Sequence, residues 1–452
     1  MMHNKHKHGS MARAALLFIS VFGFQNLMAQ KTMDLTMDQA IQLSLQSNKQ
    51  LKVSQAKVDE AKASLNQAKD NMLPDVKMSG SYLRINNPTI DLKIKTSSSS
   101  STTTGDQSST FPKVNELSYG MVNASLPLFS GFRIHYGIES AKYLSQAAKL
   151  DAENQREEVI VNTINAYSNL YKARKAVDLV QEDLKQSQQR VTDFSHMEQN
   201  GIIARNDLLK AQLESSNIEL SLLDAQNNLK ITYINMDLML GLDEGTELIA
   251  DSNSFTAQND AGNLSDWEIS ALQNRKDVAA LALRTKAYDA NIKATKGEYY
   301  PGIALSGGYV ALNIPGVATV TNAINGGVGL QYNLGSLWKT GAKVAQAKAQ
   351  LREMQADQGI LTDQVRLAIN QAYENYLLSQ KKIEVYRKAI EQATENYRIT
   401  KNKYDNSLET TTNLLDADVA QLQAKLNYAN ANADALVAYK KLQQAAGMLN
   451  NK

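Results

Sequence analysis

The feature that most constrains this chain is a proline-free stretch from Gly131 to about Asn200, in which Gly131 and Gly137 are the only glycines before Gly201. Leu170, Val177, Leu184 and Val191 recur in it every seven residues. That spacing keeps one apolar seam turned toward a neighbouring helix. At about 1.5 Å of rise per residue, a helix of roughly seventy residues spans on the order of 100 Å. No compact core needs such a rod, so the pattern implies a coiled coil, a membrane helix or a helical repeat. The run Gln186, Ser187, Gln188, Gln189, Arg190 is too polar for hydrocarbon and removes the membrane helix from that set.

The rod occurs twice. Tyr167 in INAYSNL recurs as Tyr373 in INQAYENYL, 206 positions on. The same offset carries the four seam residues onto Tyr376, Ile383, Ile390 and Tyr397, and Leu208, Leu209 and Ala211 onto Leu414, Leu415 and Ala417. The chain is therefore an internal duplication. Each half predicts a helix, a strand, a strand, a full rod, and a return helix about half its length. In the first half Thr36 and Gln39 have capping-box spacing, and Pro74 ends a helix of about thirty-five residues. Period-two alternation then predicts strands over about 75–86 and 117–128, joined by a solvated loop, 87–116, whose centre Ser97–Thr110 is Ser- and Thr-rich. The second half predicts strands over about 302–311 and 323–334, after a helix from Trp267 to Lys296. The organisation expected is repeat 30–240, an irregular segment 241–265 with a short strand near Glu247–Ala250, and repeat 266–452. Lys5, Lys7 and Arg13, the apolar run Ala14–Phe24 and the small Ala29 predict a secretory signal over residues 1–29, with Met11 an alternative start.

Chemistry is sparse. There is no cysteine, hence no disulfide or thiolate site, and a net charge of +2 with 21% charged residues does not suit nucleic-acid binding. Phosphate-cradling, dinucleotide, zinc-hydrolase and nucleophile-elbow motifs are missing from the sequence. His135 and His196 stand at opposite ends of one rod, Glu157 and Glu158 read as a solvated face, and Asp416 and Asp418 project from different faces of one helix. No catalytic, cofactor-binding or metal site is expected, and the chain reads as a non-enzyme.

Two strands per half make four, too few to close a barrel with a useful interior. An open sheet in lipid would leave its edges unsatisfied. Strands that enter a membrane must then be pooled between copies. Two copies give eight strands, too narrow to conduct, and three give twelve.

The helix ends NMLP and EYYP, the segment PLFSGF before the first rod, and the turn segments NGIIARNDLLKAQLE and DNSLETTTNLLDADVAQLQA resemble the TolC-like outer-membrane efflux proteins over essentially the whole mature length. The resemblance implies a mixed α/β membrane protein: a homotrimer with a twelve-stranded barrel among outer-membrane lipid, continued by an α-helical coiled-coil tunnel through the periplasm of a Gram-negative cell. It implies a passive exit duct for tripartite efflux or type I secretion, with a periplasmic adaptor and an inner-membrane transporter as partners. A non-conducting coiled-coil stalk is the alternative. The resemblance also directs attention to the two helical turns. Tyr404 matches the family's tyrosine, Ser407 stands at its glycine, Glu409 at its basic residue, and Asn413 and Asp416 at its two aspartates; Gly201, Asp207 and Lys210 are their first-half counterparts. A periplasmic gate is expected to draw on Asp416, Asp207, Lys210, Arg205, Glu409 and Asn413, and adaptor docking on Gly201, Ile202, Tyr404, Ser407 and Leu408. Ordinary helix-start chemistry is the competing account of Asp416 and Glu409.

Overall fold

The computed structural model describes residues 32–86, 114–255 and 260–449. The expected signal segment 1–29 and the Ser97–Thr110 stretch lie outside the described residues. The chain forms two compact units, one from the chain up to Asn48, Glu158–Asn263 and Gln371–Gln444, the other from Lys49–Glu157, Leu264–Asn370 and Ala445 onward.

The second unit holds a sheet of β2 (Asp75–Arg84), β3 (Glu116–Phe129), β5 (Gly302–Ile314) and β6 (Ala318–Gln331), in the order β2-β3-β5-β6. Every pairing is antiparallel. Because side chains alternate along a strand, the register sorts the sheet into two faces. Val76, Met78, Val122, Leu126, Leu305, Tyr309, Ile324 and Val328 share one; Lys77, Ser79, Asn123, Ser125, Ser306 and Asn325 share the other. On the apolar face Met78 is 86% exposed and Ile324 81%. Among the described residues β2 pairs only with β3 and β6 only with β5, so both outer edges are open.

The second strand pair departs from the sequence expectation of 302–311 and 323–334. β5 runs on to Ile314 and β6 begins at Ala318. Gly316 adopts φ 78° and the Val317 amide donates to the Ile314 carbonyl at 3.0 Å, so three residues suffice for the turn. β6 stops at Gln331 because the Asn333 side chain accepts from the Gly335 amide and turns the chain into the next helix.

The same unit contains α2 (Lys49–Asp70), α6 (Lys276–Lys296) and the upstream parts of the rods α3 (Arg133–Gln199) and α7 (Ser336–Asp405). The expected single helices before each strand pair are broken. Asn48 (ψ 122°) separates α1 (Met37–Ser47) from α2, and Arg275 (ψ 127°) separates α5 (Leu264–Asn274) from α6. Both are extended residues, a backbone state with no side-chain signature. Arg275 then donates to Asp277 and to the Ala445 carbonyl. Glu157, expected on a solvated face, is buried; burial raises its carboxyl pKa against the opposing pull of Lys276 and Arg275.

In the first unit β1 (Thr32–Leu35) pairs in parallel with β4 (Glu247–Ala250) beside α1, α4 (Arg205–Leu240), α8 (Thr411–Ala445) and the remainder of the rods. The Thr36 and Gln39 capping box opens α1. Tyr167 is fully buried, donates to the Leu35 carbonyl at 2.8 Å and accepts from the Asp251 amide at 2.8 Å, so one hydroxyl ties both short strands to α3. Leu170, Met236 and Leu248 complete this core. α3 meets α4 through this core, and its Ser168 and Lys172 reach Ala433 and Asp434 of α8; Ile383 of α7 packs on Ala431 and Ala435 of α8, and nearer the turns Tyr397 and Tyr404 of α7 meet Arg190 and Phe194 of α3.

The heptad seam of α3 needs correction. Leu170 and Val177 are buried, but Leu184 and Val191 are only half-buried, while Asp183, Ser187 and Arg190 go inside. Here α3 is contacted from α8 and α7, with Arg190 meeting Asp418 and Tyr397, so the buried stripe widens beyond one two-stranded seam.

Candidate functional site at the helical turns

The two turns share one backbone plan. In the first, Gly201 (φ 70°) follows Asn200; its amide donates to the Glu198 carbonyl at 2.9 Å, and the Ile202 amide to Met197 at 2.9 Å. In the second, Ser407 (φ 60°) follows Asn406; its amide donates to Tyr404 at 2.9 Å and the Leu408 amide to Lys403 at 2.8 Å. This paired bonding to the last helical carbonyls is the Schellman arrangement, which requires a left-handed residue. Glycine reaches that state freely and serine does so at some strain. Ile202 (64% exposed) and Leu408 (75%) hold equivalent places and point into solvent.

The expected gate residues do not form one cluster. Arg205 bridges to Glu198 at 3.5 Å. Asp207 bridges to Lys210 at 3.5 Å, and Lys210 also donates to the Thr412 hydroxyl at 3.4 Å, linking α4 to α8. Glu409 accepts from the Thr410 amide and from Asn413 Nδ2; those two bonds, Asn413 first, hold its carboxyl below the usual range. The Thr410 hydroxyl accepts from the Asn413 amide, so Glu409 and Asn413 do helix-start work here. Asp416 is exposed, and no hydrogen bond or ion pair reaches it among the described residues. Tyr404 is half-buried and stacks on Phe194 with ring centroids 5.4 Å apart, beside Leu208, Ala211 and Leu414.

Sequence reasoning missed the buried charges just inside these turns. Arg190 Nη2 donates to Asp418 at 2.7 Å and to the Tyr397 hydroxyl at 3.3 Å. Burial opposes the charge on Arg190, but Asp418 and Tyr397 outweigh it and raise the guanidinium pKa. Asp183 lies on the same side of α3. Burial first, then Asp418, push its carboxyl up to about 6. Arg190, Phe194, Tyr397 and Tyr404 help line a groove of about 580 Å³. One signal was available: the 206 offset places Ala389, Asn396 and Gln212 opposite Asp183, Arg190 and Asp418, so the duplication breaks at all three positions.

The chain thus combines long paired rods with an antiparallel sheet that has one apolar face and, among the described residues, two open edges, and its strands are of the class that membrane barrels use. Among the described residues no helix is long and apolar enough to cross a membrane. The family model "Outer membrane efflux protein" matches residues 40–242 and 269–448. The chain is 24% identical over 383 residues to Toxin and drug export protein A of Aggregatibacter actinomycetemcomitans, covering 78% of this chain and 76% of that one. It is 21% identical over 324 residues to the outer membrane efflux protein BepC of Brucella suis biovar 1, covering 71% and 70%. Among solved structures, the CmeC outer membrane channel of Campylobacter jejuni superposes with TM-score 0.76 at 16% identity, over 91% of this chain and 86% of that one. The outer membrane protein VceC of Vibrio cholerae does so with TM-score 0.74 at 16% identity, over 91% and 96%.

The chain belongs to the outer membrane efflux protein family. It is an outer-membrane channel protein that serves as an exit duct.

Proposed function

We propose that the chain is a passive homotrimeric channel-tunnel, the outer-membrane exit duct of a tripartite efflux or type I secretion system. The observation that carries this reading is the four-stranded sheet with two open edges and one apolar face. Four strands per copy and three copies make twelve, an even-numbered barrel wide enough to conduct. Lipid would cover the face carrying Met78 and Ile324, and the face carrying Lys77, Asn123 and Asn325 would line the lumen. The outer helices of the first unit fit the same assembly: α4 exposes Leu213, Leu220 and Leu238, and α7 exposes Leu378, Val385 and Ile399. These faces suit neighbouring copies. A free stalk would gain nothing from an apolar sheet face.

In this reading residues 1–29 are a removed signal, 30–240 and 266–452 the two repeats, and 241–265 their connector. The periplasmic adaptor and inner-membrane transporter meet the turns at Gly201, Ile202, Tyr404, Ser407 and Leu408, where two equivalent apolar side chains face solvent. The gate includes Asp416, whose copies ring the axis, with Asp207, Lys210, Arg205, Glu409 and Asn413 nearby. Joint replacement of Asp416 and Lys210 by alanine is then expected to raise single-channel conductance and lower cation preference in planar bilayers. Unchanged values would remove Asp416 from the gate.

The assembly is tested with S79C and N325C, on the polar face of the two edge strands, in a chain with no other cysteine. A short bifunctional maleimide should give covalent trimers from membranes. Monomers alone, with the protein folded, would overturn the shared barrel.

A further inference from the structure

Arg190 and Asp418 are joined inside the first unit, and Tyr397 caps the same guanidinium nitrogen. Arg190 Nη1 is buried without a partner. Two helical turns upstream on α3, Asp183 is 9% exposed, and among the described residues no hydrogen bond or ion pair reaches it. It faces a narrow cleft between α3 and α8 that Gln421, Leu422 and Lys425 also line. The seam therefore holds one ion pair, with Arg190 Nη1 unpaired, and one carboxylate that no hydrogen bond or ion pair reaches among the described residues. Resting on the reading of the turns as the gate, we propose that Asp183, Arg190 and Asp418 form an acid-strengthened latch between α3 and α8 that holds the turns together as pH falls.

The charged groups facing Asp183 are Arg190 on its own helix, Asp418 and Lys425 on α8, and Glu214 on α4. Burial, Asp418 and Glu214 disfavour its charge; Arg190 and Lys425 favour it; the balance raises its pKa from 3.8 to about 6. The sign follows from linkage. Above about pH 6 the packed seam holds an ionised, poorly solvated carboxylate, and separating the helices returns it to water. Below that, Asp183 binds a proton in the packed state that it does not bind when solvated, so acid favours packing. With these two pKa values, moving from about pH 7.5 to about pH 5 shifts the equilibrium about tenfold toward the packed seam. The effect reaches both turns, because α3 ends in one and α8 begins at the other, and Phe194 and Leu414 pack together between them.

Hydrogen exchange of the detergent-solubilised full chain tests this, following residues 180–194 and 414–425 at the two pH values with intrinsic rates divided out. The wild type should be about tenfold more protected in acid. D183N should show the acid level of protection at both, which separates Asp183 from His196 on the same helix. Equal protection of the wild type at both pH values overturns the latch and needs no variant to be read. So does a D183N protein that keeps the full pH response. Planar-bilayer conductance is recorded in parallel. A pH-dependent seam with pH-independent conductance would refute the gate reading while supporting the latch as a packing device.

Discussion

The two helical turns of this chain have the same backbone and different residues. Gly201 and Ser407 sit 206 positions apart, both left-handed, with the same pair of amide-to-carbonyl bonds behind them. Around them the side chains diverge: Asp207 pairs with Lys210 in one, and Glu409 accepts from Asn413 in the other. Duplication has kept what the chain direction requires and released the rest. The rods differ in the same way. In the first unit α3 is contacted by α4, α8 and α7 and buries Asp183 and Arg190, whereas α7, which meets α8 and the turn end of α3, leaves the equivalent Asn396 exposed. A repeated sequence thus occupies an inner and an outer place, and charge is buried in the inner one.

The largest expected effect tests that asymmetry. R190A leaves Asp418 buried and uncompensated, which costs about 3–5 kcal/mol. N396A, at the equivalent exposed position, should change stability by less than about 0.5 kcal/mol. Urea titrations followed by circular dichroism compare them. Similar midpoints for the two variants would show that the inner rod has no special role for its ion pair.

A middle-sized contrast concerns the tyrosines that register the repeat. Tyr167 serves two backbone groups from a fully buried hydroxyl. Y167F removes both of these bonds from a fully buried site, leaving the Asp251 amide only its longer bond to the Leu35 carbonyl at 3.2 Å, and should destabilise by about 1–3 kcal/mol. Tyr373 donates to the Gly262 carbonyl at 3.1 Å from a half-buried site, so Y373F should cost about 1 kcal/mol or less. Equal losses in melting temperature would mean that the two tyrosines are interchangeable anchors.

These contrasts also mark what could be read from the residues alone. The rods, the strand pairs and the duplication were legible because period two, period seven and the 206 offset are properties of residue order. The breaks at Asn48 and Arg275 were not, since a single extended residue leaves no compositional trace. The turn after Ile314 was placed too wide because the left-handed Gly316 shortens it. Family resemblance directed the site expectation to the two turns and to exposed positions such as Asp416. The buried charges at Asp183, Arg190 and Asp418 depend on which rod lies inside the bundle. Heptad spacing alone assigned the α3 seam to Leu184 and Val191, whereas contact from α8 and α7 brought Asp183 and Arg190 inside instead.

The smallest expected effect bears directly on the paired turns. If the Schellman backbone is what duplication preserved, the residue at its left-handed position should matter through conformational strain alone. Ser407 holds φ 60° at a strain of about 1–2 kcal/mol that glycine would not bear. Glycine also gains freedom in the unfolded chain, which returns part of the difference. S407G should therefore stabilise the second turn by a net of about 0.5–1 kcal/mol, and G201A should destabilise the first by about 1 kcal/mol. A Cβ at Gly201 meets nothing within 4 Å, so the G201A effect would carry no steric clash and would report backbone preference cleanly. Exchange rates of the amides of Ile202 and Leu408, each bonded across its turn, report the two sites separately. Opposite shifts, slower at Leu408 in S407G and faster at Ile202 in G201A, are the expected result. If S407G instead speeds exchange at Leu408, the serine contributes a stabilising contact of its own, and the two turns are not equivalent even in their backbone.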